Sequence, residues 1–124
     1  MKSLVAFFEI PATDFSRAIT FYESLFGVQL DQMDCGHEKM AFFPAADGVC
    51  PGAISWSSEF SFQPSEQGVL VSLNCESISD SIPMIEKKGG KILIPKTKIE
   101  AENRGYFCVF TDCEGNRVGL YSDK

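Results

Sequence analysis

The stretch Phe8-Glu9-Ile10-Pro11, followed by Asp14, Arg17, Ala18, Phe21-Tyr22 and Phe26-Gly27, decides the fold. Residues 4–11 alternate and are rich in large apolar groups, as a strand requires. Pro11 ends that strand, because it has no N–H to give to a ladder. Thr13 or Asp14 caps the helix that follows. Phe15, Ala18, Phe21 or Tyr22, Leu25 and Phe26 recur at spacings of three and four and form one apolar stripe. Gly27 supplies a left-handed residue past the helix end. Three strands are expected next, at about 28–34, 39–44 and 52–57, with turns at Asp47-Gly48 and Pro51-Gly52.

The same order is then written again. Residues 58–68 are polar with two aromatics and read as the linker. A strand is expected over about 69–75. A helix runs from Ser79 or Asp80 to Lys88 with Gly89-Gly90 beyond it, and strands follow at about 91–95, 105–111 and 117–122. Pro83 fits that helix only in its first turn, where a missing N–H costs little. Asp112-Cys113-Glu114-Gly115-Asn116 makes the last turn. Each half is β-α-β-β-β and cannot bury its sheet alone, so two copies are expected to pack around a shared groove. The expected organisation is one domain over 1–124, with module 1 at about 4–57, the linker at about 58–68 and module 2 at about 69–122.

Composition bounds the function. The chain of 124 residues is 44% apolar and 23% charged, which are globular values. Its 17 acidic and 11 basic residues leave a net charge of −6, which repels phosphate backbones and argues against nucleic acid. The same charge would favour a cationic small ligand if the acids lined the groove. No stretch approaches a membrane helix, and the run Leu4 to Phe8 after Lys2 is too short for a signal peptide, so a cytoplasmic protein is expected. Five cysteines without a C-x-x-C read as free thiols, and a single histidine gives little material for a zinc site. That histidine, His37, sits in the turn Cys35-Gly36-His37-Glu38, either exposed or capping, or else reaching over the groove.

Taken in order, these pieces resemble the vicinal oxygen chelate superfamily, which includes glyoxalase I, bleomycin-resistance proteins and extradiol dioxygenases. The opening motif above, Gly89-Gly90-Lys91 with Pro95-Lys96-Thr97, and Gly105-Tyr106-Phe107 with Asp112 and Gly115-Asn116-Arg117 carry the resemblance, over nearly all of residues 4–122. It implies an α+β fold in which two βαβββ modules form a curved mixed sheet around a concave groove. It also implies a homodimer. In the family's enzymes, histidine and glutamate on the first and last strands of each half hold a divalent metal, which a substrate with two vicinal oxygens chelates. Position by position, those ligands fall on Phe7, near Ser55, near Leu70, and on Gly119. None offers an imidazole or carboxylate, so neither a metal nor another cofactor is expected.

Strand alternation then assigns the groove. Phe7 shares its face with Val5 and Glu9; Ser55 with Ala53 and Ser57; Leu70 with Ser72 and Asn74; Gly119 with Arg117 and Tyr121. The opposite faces (Phe8, Ile10, Ile54, Trp56, Val71, Leu73, Val118, Leu120) are apolar and would pack on the helices. Glu9 is the candidate catalytic group, as a general base, or else a carboxylate paired with Arg117 or another cation, or one standing in water near the strand end. Three functions follow: a binding protein of the bleomycin-resistance kind, holding a small organic molecule in an aromatic-lined groove; a glyoxalase-like lyase or isomerase with a relocated or absent metal; or a dimeric scaffold.

Overall fold

The computed structural model describes residues 4–46, 51–100 and 104–124. The expected Asp47-Gly48 turn lies outside them. The chain divides into two units, Met1–Pro64 and Ser65–Lys124.

The first unit runs β1 (Phe8–Pro11), α1 (Phe15–Phe26), β2 (Asp31–Asp34), β3 (Glu38–Phe42) and β4 (Gly52–Ser57). Its sheet has the order β1-β4-β3-β2, with β1 and β4 parallel and the other pairs antiparallel. The helix begins where expected, because the Asp14 carboxylate accepts from the Arg17 N–H at 3.1 Å. It ends at Gly27, whose φ of 64° is left-handed and whose N–H donates to the Glu23 carbonyl. The Glu23 carboxylate then accepts from the Leu30 N–H at 2.9 Å and steers the chain towards β2. Phe21, Tyr22, Ile10, Ala41 and Ile54 are buried between helix and sheet. Phe43 gathers the aromatics, with ring centroids 5.5 Å from Tyr22, 6.3 Å from Phe8 and 6.4 Å from Phe26. The Phe8 ring occupies the space that a β-carbon on Gly52 would need. Only glycine allows the two strands to pair with that ring between them. His37 stands exposed in the β2–β3 turn, and its carbonyl accepts from the Ser58 N–H.

The second unit repeats the order with β5 (Ser72–Asn74), α2 (Ile78–Lys87), β6 (Lys91–Lys98), β7 (Tyr106–Thr111) and β8 (Arg117–Ser122), its sheet ordered β5-β8-β7-β6. The fold is therefore α+β, with two four-stranded mixed sheets. Ile78, Ile85, Cys108, Phe110, Val118 and Leu120 form the core. The motif Asp112–Asn116 is a clamp: the Asp112 carboxylate accepts from the N–H groups of Glu114 (2.8 Å) and Asn116 (2.9 Å) and from the Asn116 amide (3.1 Å). Asn116 Oδ1 in turn accepts from the Ser65 N–H at 3.2 Å.

Three strands are shorter than expected: β1 starts at Phe8 rather than 4, β2 at Asp31 rather than 28, and β5 spans Ser72–Asn74 rather than 69–75. Two further expectations need correction. The second helix starts at Ile78, capped by the Ser77 hydroxyl, so Pro83 stands in its interior rather than its first turn. Burial of Ile78 and Ile85 on the sheet outweighs the backbone bond that Pro83 removes. Strand β6 runs on to Lys98, beyond the expected 95, because two register shifts let it follow β7 past Pro95. Being at the sheet edge, it tolerates a residue without an N–H. Lys96 and Lys98 place their ammonium groups 4.5 and 5.3 Å from the Tyr106 ring centroid.

No helix among the described residues is long and apolar enough to cross a membrane. The cysteines among them, Cys35, Cys75, Cys108 and Cys113, are free thiols.

Candidate functional site

In each unit the helix covers one face of the sheet, and the other face is where sequence analysis placed the site. Residues directly opposite across neighbouring strands share a face. In the first unit this gives two rows across the sheet. Glu9, Ala53, Phe42 and Asp31 form one; Pro11, Ser55, Met40 and Met33 form the other. The small Ala53 leaves Glu9 room to lean along β4. Its carboxylate accepts a hydrogen bond from the Ser55 hydroxyl at 2.8 Å. Ser55 is buried, with 5% of its surface exposed, while Glu9 stays exposed. Phe7 stands immediately before β1 and is 57% exposed. The first sheet thus offers an acceptor, fixed by a buried hydroxyl, among Phe7, Met40 and Phe42. The opposite face carries Ile10 and Ile54 in the core, and Trp56 under the Lys39 ammonium at 4.9 Å.

In the second unit three rows are formed. Ser72, Gly119 and Val109 share one; Asn74, Tyr121 and Phe107 the next; Arg117, Thr111 and Lys91 the third. Ser72 and Asn74 are exposed. The Tyr121 hydroxyl is engaged within the unit, accepting from the Gly105 N–H at 3.1 Å and donating to the Asp123 carboxylate at 3.1 Å. Arg117 donates from Nη2 to the Gly68 carbonyl at 3.3 Å, and its shielded Nε finds no acceptor among the described residues. Leu70 precedes β5 and is 43% exposed.

The four positions at which the resemblance places metal ligands do not fit a divalent ion. Phe7 and Leu70 have no donor atom. Ser55 offers only a neutral hydroxyl, a weak ligand beside the imidazole or carboxylate such a site uses. Gly119 has no side chain, and a β-carbon there would stand 2.5 Å from the Ser72 hydroxyl. Among the described residues no three histidine, cysteine or carboxylate side chains converge on a point that could hold a metal ion.

The structure joins Glu9 to Ser55 and sets Ser72 beside Gly119 and Asn74 beside Tyr121. Met33, Met40, Phe42, Thr111 and Lys91 lie on the same faces and were missed from sequence. Alternation along β3 could have found Met40 and Phe42. The clamp at Asp112–Asn116 could have placed Thr111 opposite Arg117, since a tight turn fixes the register of its flanking strands.

A family model described as the Glyoxalase/Bleomycin resistance protein/Dioxygenase superfamily matches residues 4–120. A search of curated proteins finds no match. Among solved structures, a glyoxylase/bleomycin resistance protein/dioxygenase domain from Frankia sp. EAN1pec is similar at 14% identity and a TM-score of 0.71, covering 100% of both chains. The genomically encoded fosfomycin resistance protein FosX from Listeria monocytogenes is 14% identical, with a TM-score of 0.65 over 100% of this chain and 94% of its own. A glyoxalase I mutant from Zea mays is 18% identical with a TM-score of 0.68; it aligns with 93% of this chain, which spans 44% of its length. At these identities the likeness is one of fold.

Proposed function

This chain belongs to the glyoxalase/bleomycin resistance protein/dioxygenase superfamily, and on that footing we propose that it binds a small organic molecule on the open face of its first sheet, without a divalent metal at the family's usual positions. The observation that carries this reading is the Glu9–Ser55 pair set among exposed or half-buried apolar side chains. Apolar walls with a few fixed polar groups are what small-ligand sites are made of. Phe7, Phe42 and Met40 would take the apolar body, with methionine adapting its shape to the ligand. Glu9 would accept from a donor on the ligand, since a carboxylate retains acceptor capacity after one hydrogen bond. The protein would act as a homodimer in the cytoplasm, on the family resemblance; a sedimentation mass of one chain would count against the dimer.

A second reading is favoured by the exposure of Glu9. A carboxylate held by one hydroxyl and open to a substrate can take a proton from a carbon beside a carbonyl and return it to the neighbouring carbon, as a lyase or isomerase of the glyoxalase type would require. The test begins with protein made without a histidine tag. Metal content is measured, and melting is followed with Ni²⁺, Zn²⁺, Mn²⁺ and Fe²⁺ and with a panel of aromatic and cationic compounds. A compound that raises the melting temperature, with the effect lost in Glu9→Gln and Ser55→Ala, supports the binding reading. Stoichiometric metal sinks it and moves glyoxalase and isomerase assays to the front.

A further inference from the structure

We propose that Arg117, with Thr111 and Lys91 beside it on the second sheet, binds a small anionic group, a carboxylate or a phosphate. This rests on the reading above only in taking the open faces as ligand-binding. The register sets the three residues in one row across β8, β7 and β6: Arg117 opposite Thr111, and Thr111 opposite Lys91. Arg117 is half-buried, and the acceptor its guanidinium meets among the described residues is the neutral Gly68 carbonyl. Its Nε is shielded from solvent with nothing to donate to, and a donor in that state is costly enough to need a reason. A guanidinium presents its N–H groups as a planar fork matched to two oxygens of one anion. Thr111 adds a hydroxyl and the exposed Lys91 a second positive charge.

The charge of the two sheets is sorted in the same sense. The strands of the second sheet contain no aspartate or glutamate; of their cations, Lys91 and Arg117 share the open face, while Lys96 and Lys98 sit over the Tyr106 ring on the other face. The strands of the first contain Glu9, Asp31, Asp34 and Glu38 against the single Lys39.

The test is a calorimetric and thermal-shift titration of the full chain with sodium phosphate and with sodium benzoate, each against sodium chloride at matched ionic strength. A saturable response to either anion is expected, and which of the two responds identifies the group. Arg117→Lys keeps the charge but loses the fork, and should weaken that response about tenfold or more. Thr111→Val and Lys91→Gln should each weaken it, and they decide the matter if the Arg117 variant fails to fold. Responses no larger than chloride gives, or unchanged in these variants, overturn the proposal. The titration uses no organic ligand from the panel. A positive anion response with a silent panel would therefore sink the earlier reading and keep this one, and the reverse would sink this one.

Discussion

Ser72 Oγ lies 2.5 Å from the point at which a β-carbon on Gly119, its partner in the parallel β5–β8 register, would stand. The Ser72 hydroxyl fills the space where a glutamate at position 119 would begin. Gly119→Glu should therefore fail to create a metal site, and should lower stability by about 1–3 kcal/mol through overpacking. Urea denaturation with and without Zn²⁺ or Ni²⁺ measures both. A variant of unchanged stability that takes up one metal per chain would contradict the geometry.

Gly52 faces a harder obstacle, the ring of Phe8. Gly52→Ala should cost about 1–3 kcal/mol, because the Phe8 ring, stacked on Phe43, would have to move. The double variant Phe8→Leu/Gly52→Ala should recover part of that loss if the clash is the cause. Chemical denaturation of the four proteins reads the coupling.

Tyr121 lies on the expected ligand face, in one row with Asn74 and Phe107, and its hydroxyl ties Gly105 to Asp123. Tyr121→Phe should lose about 1 kcal/mol of stability. Calorimetric titration of any ligand found in the panel should give the same dissociation constant for this variant as for the parent. An affinity loss larger than tenfold would restore Tyr121 as a ligand contact.

Burial pushes the Cys108 thiol up from 9.0 to about 11, with the nearby Cys75 adding to the rise. The unfolded chain ionises this thiol first, so the folded state holds more protons through that interval. Its contribution to stability is whole below the ordinary thiol value of 9.0 and declines as the pH climbs towards about 11. Cys108→Ala should cost about 1 kcal/mol at neutral pH and flatten the fall in stability above pH 9.0. Denaturation midpoints at a series of alkaline pH values decide it; an equally steep fall in the variant would assign the limb to other groups.

The local grammar of this fold was legible in the residues. Asp14 and Gly27 announced the ends of the first helix, and both do what their side chains and backbone freedom permit. Alternation separated Ile10 and Ile54 from Glu9 and Ser55 correctly. What escaped was non-local. The Glu9–Ser55 bond depends on a parallel register between strands with a helix and two strands between them, and no short pattern encodes such a register. The interior place of Pro83 follows from what Ile78 and Ile85 bury, which is tertiary context overriding a local rule. The unmet donor on Arg117 belongs to the packing of the 65–70 segment against β8, and no motif could have marked it.

The parallel pairs β1–β4 and β5–β8 also set the order in which the chain can form. Phe8 has no strand partner until Gly52 arrives, and Ser72 none until Gly119. The hairpins β2–β3 and β7–β8 can close early, while each unit's first strand must wait for its last. Loop-closure entropy is lost before that pairing repays it, so folding should be slow for so small a chain. On a ribosome the first strand would emerge long before its partner, and the exposed apolar run from Leu4 to Phe7 would be open to chaperones for the whole of that interval.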